Sequence, residues 1–397
     1  MTAAPTPAQA RLVFLLVVCG TVLAIGGTDL VLPAVPGLPA ALGGTAAQAQ
    51  LVLAAYVAGA GVGLLLFGEL GARHDQRTLL ALAMALFAVT SLAAAFVRSI
   101  ETLVVVRFVQ GAVGSAASVF APGVIKALYP PDKAVRAIGL FGSIEGLVPA
   151  LAPIVGAWLV SVADWRASFF VLAALACALA VSLLRVRRDL LAGVATARTG
   201  SYLALLRNGR FMRLALSHAF SLGGLLVFVF GAPAVFVLAL GGTLADFVVM
   251  QVAGITCFII GANATGHIVA RTGASAMIVG GSALLAIAAC AILAYALAGG
   301  RNPRVVAALF VPLNFGMGLR GPPGFFQAVV ASEGDDSRGA GLVILFILAT
   351  TAIGTAIVAP WIREGLVPLA LVAAVIASAS VVVLVLPQRL AARAPSG

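Results

Sequence analysis

The chain has 397 residues, of which 62% are hydrophobic and 9% are charged, and its mean hydropathy is +1.16. A soluble domain carries about 25% charged residues, so this composition excludes a soluble globular protein and predicts an all-α integral membrane protein. The formal net charge of +11 does not indicate nucleic-acid binding, because the basic residues lie between apolar segments rather than along one face.

Apolar runs of about 20 residues, long enough to cross a bilayer, occur twelve times along the chain. In order they are 11–34, 49–70, 78–97, 102–125, 136–161, 167–184, 212–239, 246–269, 276–297, 304–325, 340–360 and 366–386. We predict twelve transmembrane helices in two six-helix bundles, at 1–184 and 212–397, joined by a basic cytoplasmic linker at 185–211. The stretches 68–75 and 266–273 share the pattern G-x-[LI]-x-A-R after the second and eighth helices, which supports a repeat of the two halves.

The basic residues also predict the orientation of the chain, because lysine and arginine are enriched in cytoplasmic loops. With the N-terminus inside, 17 of the 24 Lys and Arg residues fall on the cytoplasmic side and 5 on the outside. We therefore expect a multi-pass protein with both termini in the cytoplasm. The abundance of arginine, alanine and glycine is typical of a high-GC bacterium, which predicts the bacterial inner membrane as its location.

Three charged side chains lie well inside the predicted helices of the first half: Asp29, Arg107 and Glu145. At the helical rise per residue, Asp29 and Arg107 both fall in the outer half of the membrane, so an ion pair is feasible, whereas Glu145 lies roughly 14 Å deep without an evident partner. Charged groups inside a membrane are usually functional, and an isolated carboxylate there favours its protonated form. We predict that Glu145 exchanges a proton or meets a cationic substrate, and that Asp29 is a second protonatable site relayed through Arg107. The residues leave open that Glu145 is hydrogen-bonded for structure alone and that the other two form a structural pair.

The predicted fifth helix carries small and helix-weakening residues around its carboxylate, at Gly142, Gly146, Pro149, Pro153 and Gly156. The first two glycines are four residues apart, a spacing that lets another helix approach closely. The prolines beyond the carboxylate weaken the backbone hydrogen-bond ladder. We predict a hinge and packing seam in this helix, with a static packing face as the alternative.

The predicted helices of the second half are poorer in charge. Their polar side chains include His218, Gln251, Asn263, Asn314 and Arg320. Together with many phenylalanines, these amides suit amphipathic, largely apolar substrates. We expect His218 to be a surface group near the cytoplasmic end of helix seven, and Arg320 to reach the cytoplasmic interface by snorkelling.

The loop after helix two resembles the loop motif of the major facilitator superfamily, the twelve-helix transporters built from two six-helix halves. GELGARHDQRTLL is similar to the family's G-x-L-A-D-R-x-G-R-[KR] and matches it at Gly68, Leu70, Arg73 and Arg77. Ala72 stands where the family has its aspartate, and Asp75 stands where it has a glycine. In the family that aspartate belongs to a charge network that stabilises one conformation of the cytoplasmic gate. We expect the network to be rebuilt here through Asp75, or to be weaker.

Three further stretches narrow the resemblance to drug/proton antiporters. TDLVLPAVPGLP in helix one is similar to their acidic, proline-rich motif, and VVVRFVQGAVGSA in helix four matches R-x-x-Q-G. GLFGSIEGLVPALAPIVG, followed by WRASFF, resembles the helix-five motif of the bicyclomycin- and chloramphenicol-resistance-type exporters. The resemblance implies export of small amphipathic compounds by drug/proton antiport with alternating access, from a functional monomer in the lipid bilayer.

We therefore expect a secondary transporter rather than an enzyme, with the proton gradient as its energy source and no cofactor. The chain contains no G-x-S-x-G, H-E-x-x-H or G-x-x-x-x-G-K-[ST] motif, and its 3 histidines are scattered, so no catalytic, ATP or metal site is expected. The expected partners are a small-molecule substrate, protons and lipid. Two alternatives stay open, namely export of an endogenous metabolite or siderophore, and a transport-dead sensor with the same fold.

Overall fold

The computed structural model describes residues 6–186 and 200–385, and most of them are helical. Among these described residues, twelve helices are long and apolar enough to cross a membrane, as predicted. They are α1 (Pro7–Asp29), α3 (Ala46–Arg73), α4 (Gln76–Phe96), α5 (Ile100–Leu128), α6 (Pro131–Val162), α7 (Ala167–Arg185), α9 (Gly209–Leu238), α10 (Leu244–Thr272), α11 (Ala274–Leu297), α12 (Pro303–Val330), α13 (Asp336–Val358) and α14 (Leu366–Val385). Two short helices, α2 (Leu38–Leu42) and α8 (Tyr202–Arg207), and two 3-10 turns, Leu32–Gly37 and Ala359–Glu364, lie between them.

Polar caps place the starts of the spanning helices at the breaks between apolar runs. The side chains of Thr45, Ser99 and Thr243 each accept a hydrogen bond from the backbone N–H three residues further on. Such a bond satisfies one of the amides that a helix leaves free at its first turn. Each cap therefore fixes where its helix begins.

Helix α12 is continuous, although the stretch GMGLRGPPGFF carries several helix breakers. Because Pro322 and Pro323 have no N–H, the carbonyls of Gly318 and Leu319 one turn earlier lose their helical partners. The fully buried hydroxyl of Thr265 on α10 donates to the carbonyl oxygen of Gly261 at 2.7 Å and also lies 3.2 and 3.3 Å from these two carbonyl oxygens. A hydroxyl has a single hydrogen, so Thr265 is a polar neighbour of these carbonyls rather than a full replacement for their helical bonds. Serine and threonine side chains of neighbouring helices are among the groups that let membrane helices tolerate proline.

Helices α3 and α5 pack backbone to backbone. A Cβ atom added at Gly59 or Gly63 of α3 would overlap the carbonyl oxygen of Phe108 or Ala112 on α5, and one at Gly111 would overlap that of Tyr56. Close approach of this kind is the usual way helices associate in lipid, where burial of apolar surface gives little driving force. Residues 59–63, with the sequence GAGVG, therefore serve the packing of α3 against α5.

The chain divides into two compact units. The first contains Met1–Pro130, Ile144–Gly200 and Glu333–Leu342, and the second contains Pro131–Ser143, Ser201–Ser332 and Val343–Gly397. The start of α6 thus belongs to the second unit, and the start of α13 belongs to the first. Residues 187–199 of the predicted linker and the C-terminal residues 386–397 lie outside the described residues, so the boundaries 1–184, 185–211 and 212–397 stay a prediction.

Candidate functional site

Glu145 lies on α6 in the first unit and is half-buried. The hydroxyl of Thr21 on α1 interacts with its carboxylate. That hydroxyl also lies 2.9 Å from the carbonyl oxygen of Val18, and Thr21 is fully buried. In the part of the chain that the structure describes, no lysine, arginine or histidine forms an ion pair with Glu145. The carboxylate is therefore held inside a membrane-spanning helix without a counter-ion.

Arg107 on α5 is fully buried and is held by neutral groups. Its Nη1 donates to the carbonyl oxygen of Gly27 at 2.8 Å and to the side-chain oxygen of Gln110 at 2.7 Å. Its Nε donates to the carbonyl oxygen of Val52 at 3.4 Å, and the guanidinium lies 4.2 Å from the ring centroid of Tyr56. The arginine thus ties α1, α3 and α5 together.

The structure does not bring Asp29 and Arg107 together as an ion pair. Asp29 is half-buried at the last residue of α1, and within residues 6–186 and 200–385 no cation pairs with it. The carbonyl oxygen of Gly27, two residues earlier, takes the place that the carboxylate was expected to fill. The Nη2 atom of Arg107 is buried and has no hydrogen-bond partner in the part of the chain that the structure describes.

The R-x-x-Q-G motif also extends to α4. The side-chain amide of Gln110 donates to the hydroxyl of Ser91 at 2.6 Å, and that hydroxyl donates to the carbonyl oxygen of Phe87 at 2.6 Å. All of these polar groups are fully buried. A buried network of this kind stabilises the packing of four helices only while each member keeps its partner.

The loop motif residues do not act as one unit. The Nε of Arg77 donates to the carbonyl oxygen of Leu183 at 2.9 Å, which closes the end of α7. Asp75 caps the start of α4 by accepting from the backbone N–H of Thr78 at 3.0 Å. Arg73 is exposed and pairs with Glu69, and Gly68 lies within α3. The carboxylate of Asp75 is used for capping and forms no ion pair among the described residues, so the network is not rebuilt through Asp75, and a weaker network stays a prediction.

A cluster of three charged residues, which we call the Glu69 cluster, lies beside this loop. It consists of Glu69, Asp335 and Arg338. Arg338 is fully buried, and its guanidinium lies 2.6 Å from the Glu69 carboxylate and 2.8 Å from that of Asp335. Burial raises the pKa of the Asp335 carboxyl above its usual range, although the guanidinium opposes this effect. The cluster joins the end of α3 to the start of α13 within the first unit.

Two further contacts join α5 and α4 to the start of α13. Lys126 of α5 pairs with Asp336 at 2.9 Å, and the side-chain amide of Gln76 donates to the hydroxyl of Ser337 at 2.9 Å. These contacts and the Glu69 cluster were not predicted from the sequence. The available signal was the acidic stretch EGDDSRG before helix eleven, which is predicted to lie on the same side as the loop after helix two.

The residues predicted as a hinge lie in an unbroken α6. A Cβ at Gly156 would overlap the carbonyl oxygen of Leu30, whereas one at Gly142 would make an ordinary contact, 3.8 Å from the ring of Phe258. The close approach predicted at Gly142 is therefore found instead at Gly139, where a Cβ would lie 2.6 Å from a backbone oxygen. Pro149 and Pro153 are accommodated inside the helix, and a hinge at these prolines or at Gly146 stays a prediction.

Two expectations about the second half are wrong. His218 is buried, with 4% of its surface exposed, so it is not a surface group. Arg320 is fully buried and does not snorkel. One of its guanidinium nitrogens lies 3.3 Å from Nδ1 of His218. Counting residues along a helix does not give the direction of a side chain.

Comparisons with known proteins agree with the motifs. A model of the Major Facilitator Superfamily matches residues 17–359. The chloramphenicol resistance protein of Pseudomonas aeruginosa is 36% identical over 148 residues, 37% of this chain and 35% of that protein. The bicyclomycin resistance protein homolog of Haemophilus influenzae is 25% identical over 260 residues, 64% of this chain and 65% of that protein. The chain thus spans about a third of the first relative and less than two thirds of the second.

Solved structures share the fold. The transporter FucP, in its outward conformation, has a TM-score of 0.74 at 16% identity, over 95% of this chain and 98% of that one. The proton:xylose symporter XylE has a TM-score of 0.72 at 15% identity, over 94% of this chain and 95% of that one. At this level of identity the likeness concerns the fold alone.

Proposed function

Because this chain belongs to the major facilitator superfamily, a family of membrane transporters rather than enzymes, we propose that it exports small amphipathic compounds by drug/proton antiport. Relatives named for chloramphenicol and bicyclomycin resistance support the direction and the class of cargo. The proposal includes alternating access driven by the proton gradient, without a cofactor. It places a functional monomer in the bacterial inner membrane with both termini in the cytoplasm.

The observation that carries this proposal is Glu145, a carboxylate inside a spanning helix with no ion-pair partner among the described residues. An ionised carboxylate costs at least a few kcal/mol at such a position, roughly 2.5–3.5 kcal/mol on insertion scales for Asp. Thr21 can serve both protonation states, because a hydroxyl both donates and accepts. While it donates to the Val18 carbonyl it can accept from a protonated Glu145, and on rotation it can donate to the ionised form. Glu145 is therefore suited to taking up and releasing a proton during transport.

The Glu69 cluster has a complementary role in the proposed cycle. Glu69 lies one helical turn before Ala72 and on the same face of α3, so it supplies a carboxylate close to the position where the family has its aspartate. Its ion pair with the buried Arg338 holds the end of α3 to the start of α13. Alternating access requires the cytoplasmic side to open, and this pair is a contact that the opening step would break.

The test is drug susceptibility of an efflux-deficient bacterium that expresses the wild type or Glu145→Gln at matched levels. Glu101→Gln is the control, because Glu101 is exposed at the start of α5. We expect protection by the wild type and by the control, and none by Glu145→Gln. Proton flux in inverted vesicles then separates coupling from substrate binding.

Other outcomes have definite meanings. Equal protection by Glu145→Gln would keep the exporter and refute the proton role of Glu145. No protection by any variant would refute export of the compounds tested and turn the search to endogenous metabolites or siderophores.

A further inference from the structure

Arg320 of α12 is a fully buried cation in the second unit. Its Nη1 lies 3.3 Å from the carbonyl oxygen of Ser217 and 3.3 Å from Nδ1 of His218, and its Nη2 lies 3.3 Å from the hydroxyl of Ser217. All three distances are long for bonds from a charged donor. Its Nε is buried and has no hydrogen-bond partner among the described residues. Throughout the described residues no carboxylate forms an ion pair with this guanidinium.

The guanidinium lies deep between the helix ends. Arg320 is ten residues before the end of α12, roughly 15 Å along the axis, and His218 is nine residues after the start of α9, roughly 14 Å. These matching depths agree with the contact between the two side chains. A buried charge at such a depth is usually paired or functional, because an uncompensated one is costly.

Several groups around Arg320 can donate hydrogen bonds. Ser221 lies one turn beyond Ser217 on the same face of α9, and its fully buried hydroxyl has no hydrogen-bond partner among the described residues. Arg213 lies one turn before Ser217, and its buried Nε likewise has no partner in the part of the chain that the structure describes. Because arginine only donates, the contact with Arg320 requires Nδ1 of His218 to accept, which leaves the imidazole N–H on Nε2. The site therefore offers several donors, and within residues 6–186 and 200–385 no carboxylate pairs with its guanidinium.

Two glycines make room for this arrangement. A Cβ at Gly324 would lie 3.0 Å from Nη2 of Arg320 and 3.3 Å from Nδ1 of His218. A Cβ at Gly281 of α11 would lie 2.8 Å from the Cβ of Arg320. The backbone of α11 at Gly281 and that of α12 at Gly324 therefore lie close to Arg320. A larger side chain at either glycine would displace the arginine.

We propose that the Arg320 cluster, formed by Ser217, His218, Ser221 and Arg320, binds a small anion with a single negative charge. The anion is chloride or the carboxylate group of a transported compound, and the second source rests on the export proposed above. An anion here balances the buried guanidinium and accepts hydrogen bonds from donors that otherwise lack partners. The residues of this cluster differ from those of the Glu145 and Glu69 sites, so the anion has its own set of binding residues.

Equilibrium binding of radioactive chloride to the purified protein in a gluconate buffer is the direct test. We expect saturable binding by the wild type, and its loss in Arg320→Gln. Ser221→Ala is expected to bind about tenfold more weakly, the effect of losing one hydrogen bond to a charged group. Arg210→Gln, which changes an exposed arginine near the start of the same helix, is expected to bind as the wild type does. Chloride should also raise the melting temperature of the wild type above that in gluconate, but not that of Arg320→Gln.

A parallel arm uses benzoate as the probe. Displacement of chloride by benzoate, or benzoate binding without chloride binding, assigns the site to carboxylates, provided that Ser221→Ala weakens it. The proposal would be overturned if the wild type bound neither chloride nor benzoate. Equal binding by the wild type, Ser221→Ala and Arg320→Gln would also overturn it. If Arg320→Gln does not fold, Ser221→Ala decides alone. Drug susceptibility with Glu145→Gln is an independent measurement, so failure of the anion site is distinguishable from failure of the export proposal.

Discussion

Removal of the Glu69 carboxylate should loosen the contact between the ends of α3 and α13. The change is Glu69→Gln, in a chain that lacks the four native cysteines and carries Ser337→Cys as a reporter. Ser337 is buried, with 4% of its surface exposed, and its hydroxyl accepts from Gln76. A cysteine at this position reacts with a membrane-impermeant maleimide only when the contact opens. If opening and closing are fast, the labelling rate is proportional to the open population.

The expected size of the effect follows from the burial of the partners. Breaking a buried ion pair costs about 3–5 kcal/mol, whereas an exposed pair is worth about 0–1 kcal/mol. Arg338 is fully buried, but Glu69 is 33% exposed and Arg338 keeps Asp335 as a partner. An intermediate value of about 1.4 kcal/mol corresponds to an open population, and hence a labelling rate, about tenfold higher.

Arg73→Gln is the matched control, because Arg73 also pairs with Glu69 but its side chain is 60% exposed. Its removal should raise the labelling rate less than about threefold, as expected for an exposed pair. Labelling is measured on inverted vesicles and on detergent-solubilised protein, so that access to the reagent is not limiting. Equal rates in the parent, Glu69→Gln and Arg73→Gln would refute the argument that this ion pair holds the two helix ends together.

Two further predictions concern the packing of the first unit. In Gly111→Ala the new methyl group would overlap the carbonyl oxygen of Tyr56, so we expect a lower melting temperature. Gly26→Ala is the control, because no atom lies within 4 Å of its new Cβ, and its melting temperature should be unchanged or higher. Gln110→Ala removes an acceptor from the buried Arg107 and should destabilise the protein by about 1–3 kcal/mol, measured by thermal unfolding in detergent. An unchanged melting temperature in Gln110→Ala would contradict a stabilising role for the buried network.

The twelve spanning helices could be predicted because their length and apolar composition are local properties of the chain. The positions of the charged residues along their helices could also be predicted, since they follow from the helical rise. Their partners could not. The guanidinium of Arg107 is bound by backbone carbonyls and by Gln110, and a carbonyl acceptor has no signature in the sequence.

Contacts between residues that are distant in the sequence could not be predicted either. Glu69 and Arg338 are 269 residues apart, and neither side chain alone indicates which cation or carboxylate it meets. The burial of Arg320 depends on glycines of α11 and α12 that let the backbones approach it. The carbonyls that the prolines of α12 leave open lie beside Thr265 of another helix. In each case a group on another segment of the chain determines the environment of the residue.

The exchange of helix starts between the two units has a consequence for biosynthesis. When the ribosome has completed α7, the start of α6 has been made, but residues 201–332 of its unit have not. At the same moment Glu69 cannot form its ion pair with Arg338, because Arg338 is synthesised much later. Helices of the nascent chain can enter the membrane in order, but neither unit reaches its final packing until α13 emerges. A truncated chain that ends after α7 should therefore be recognised as incomplete by membrane quality-control proteases.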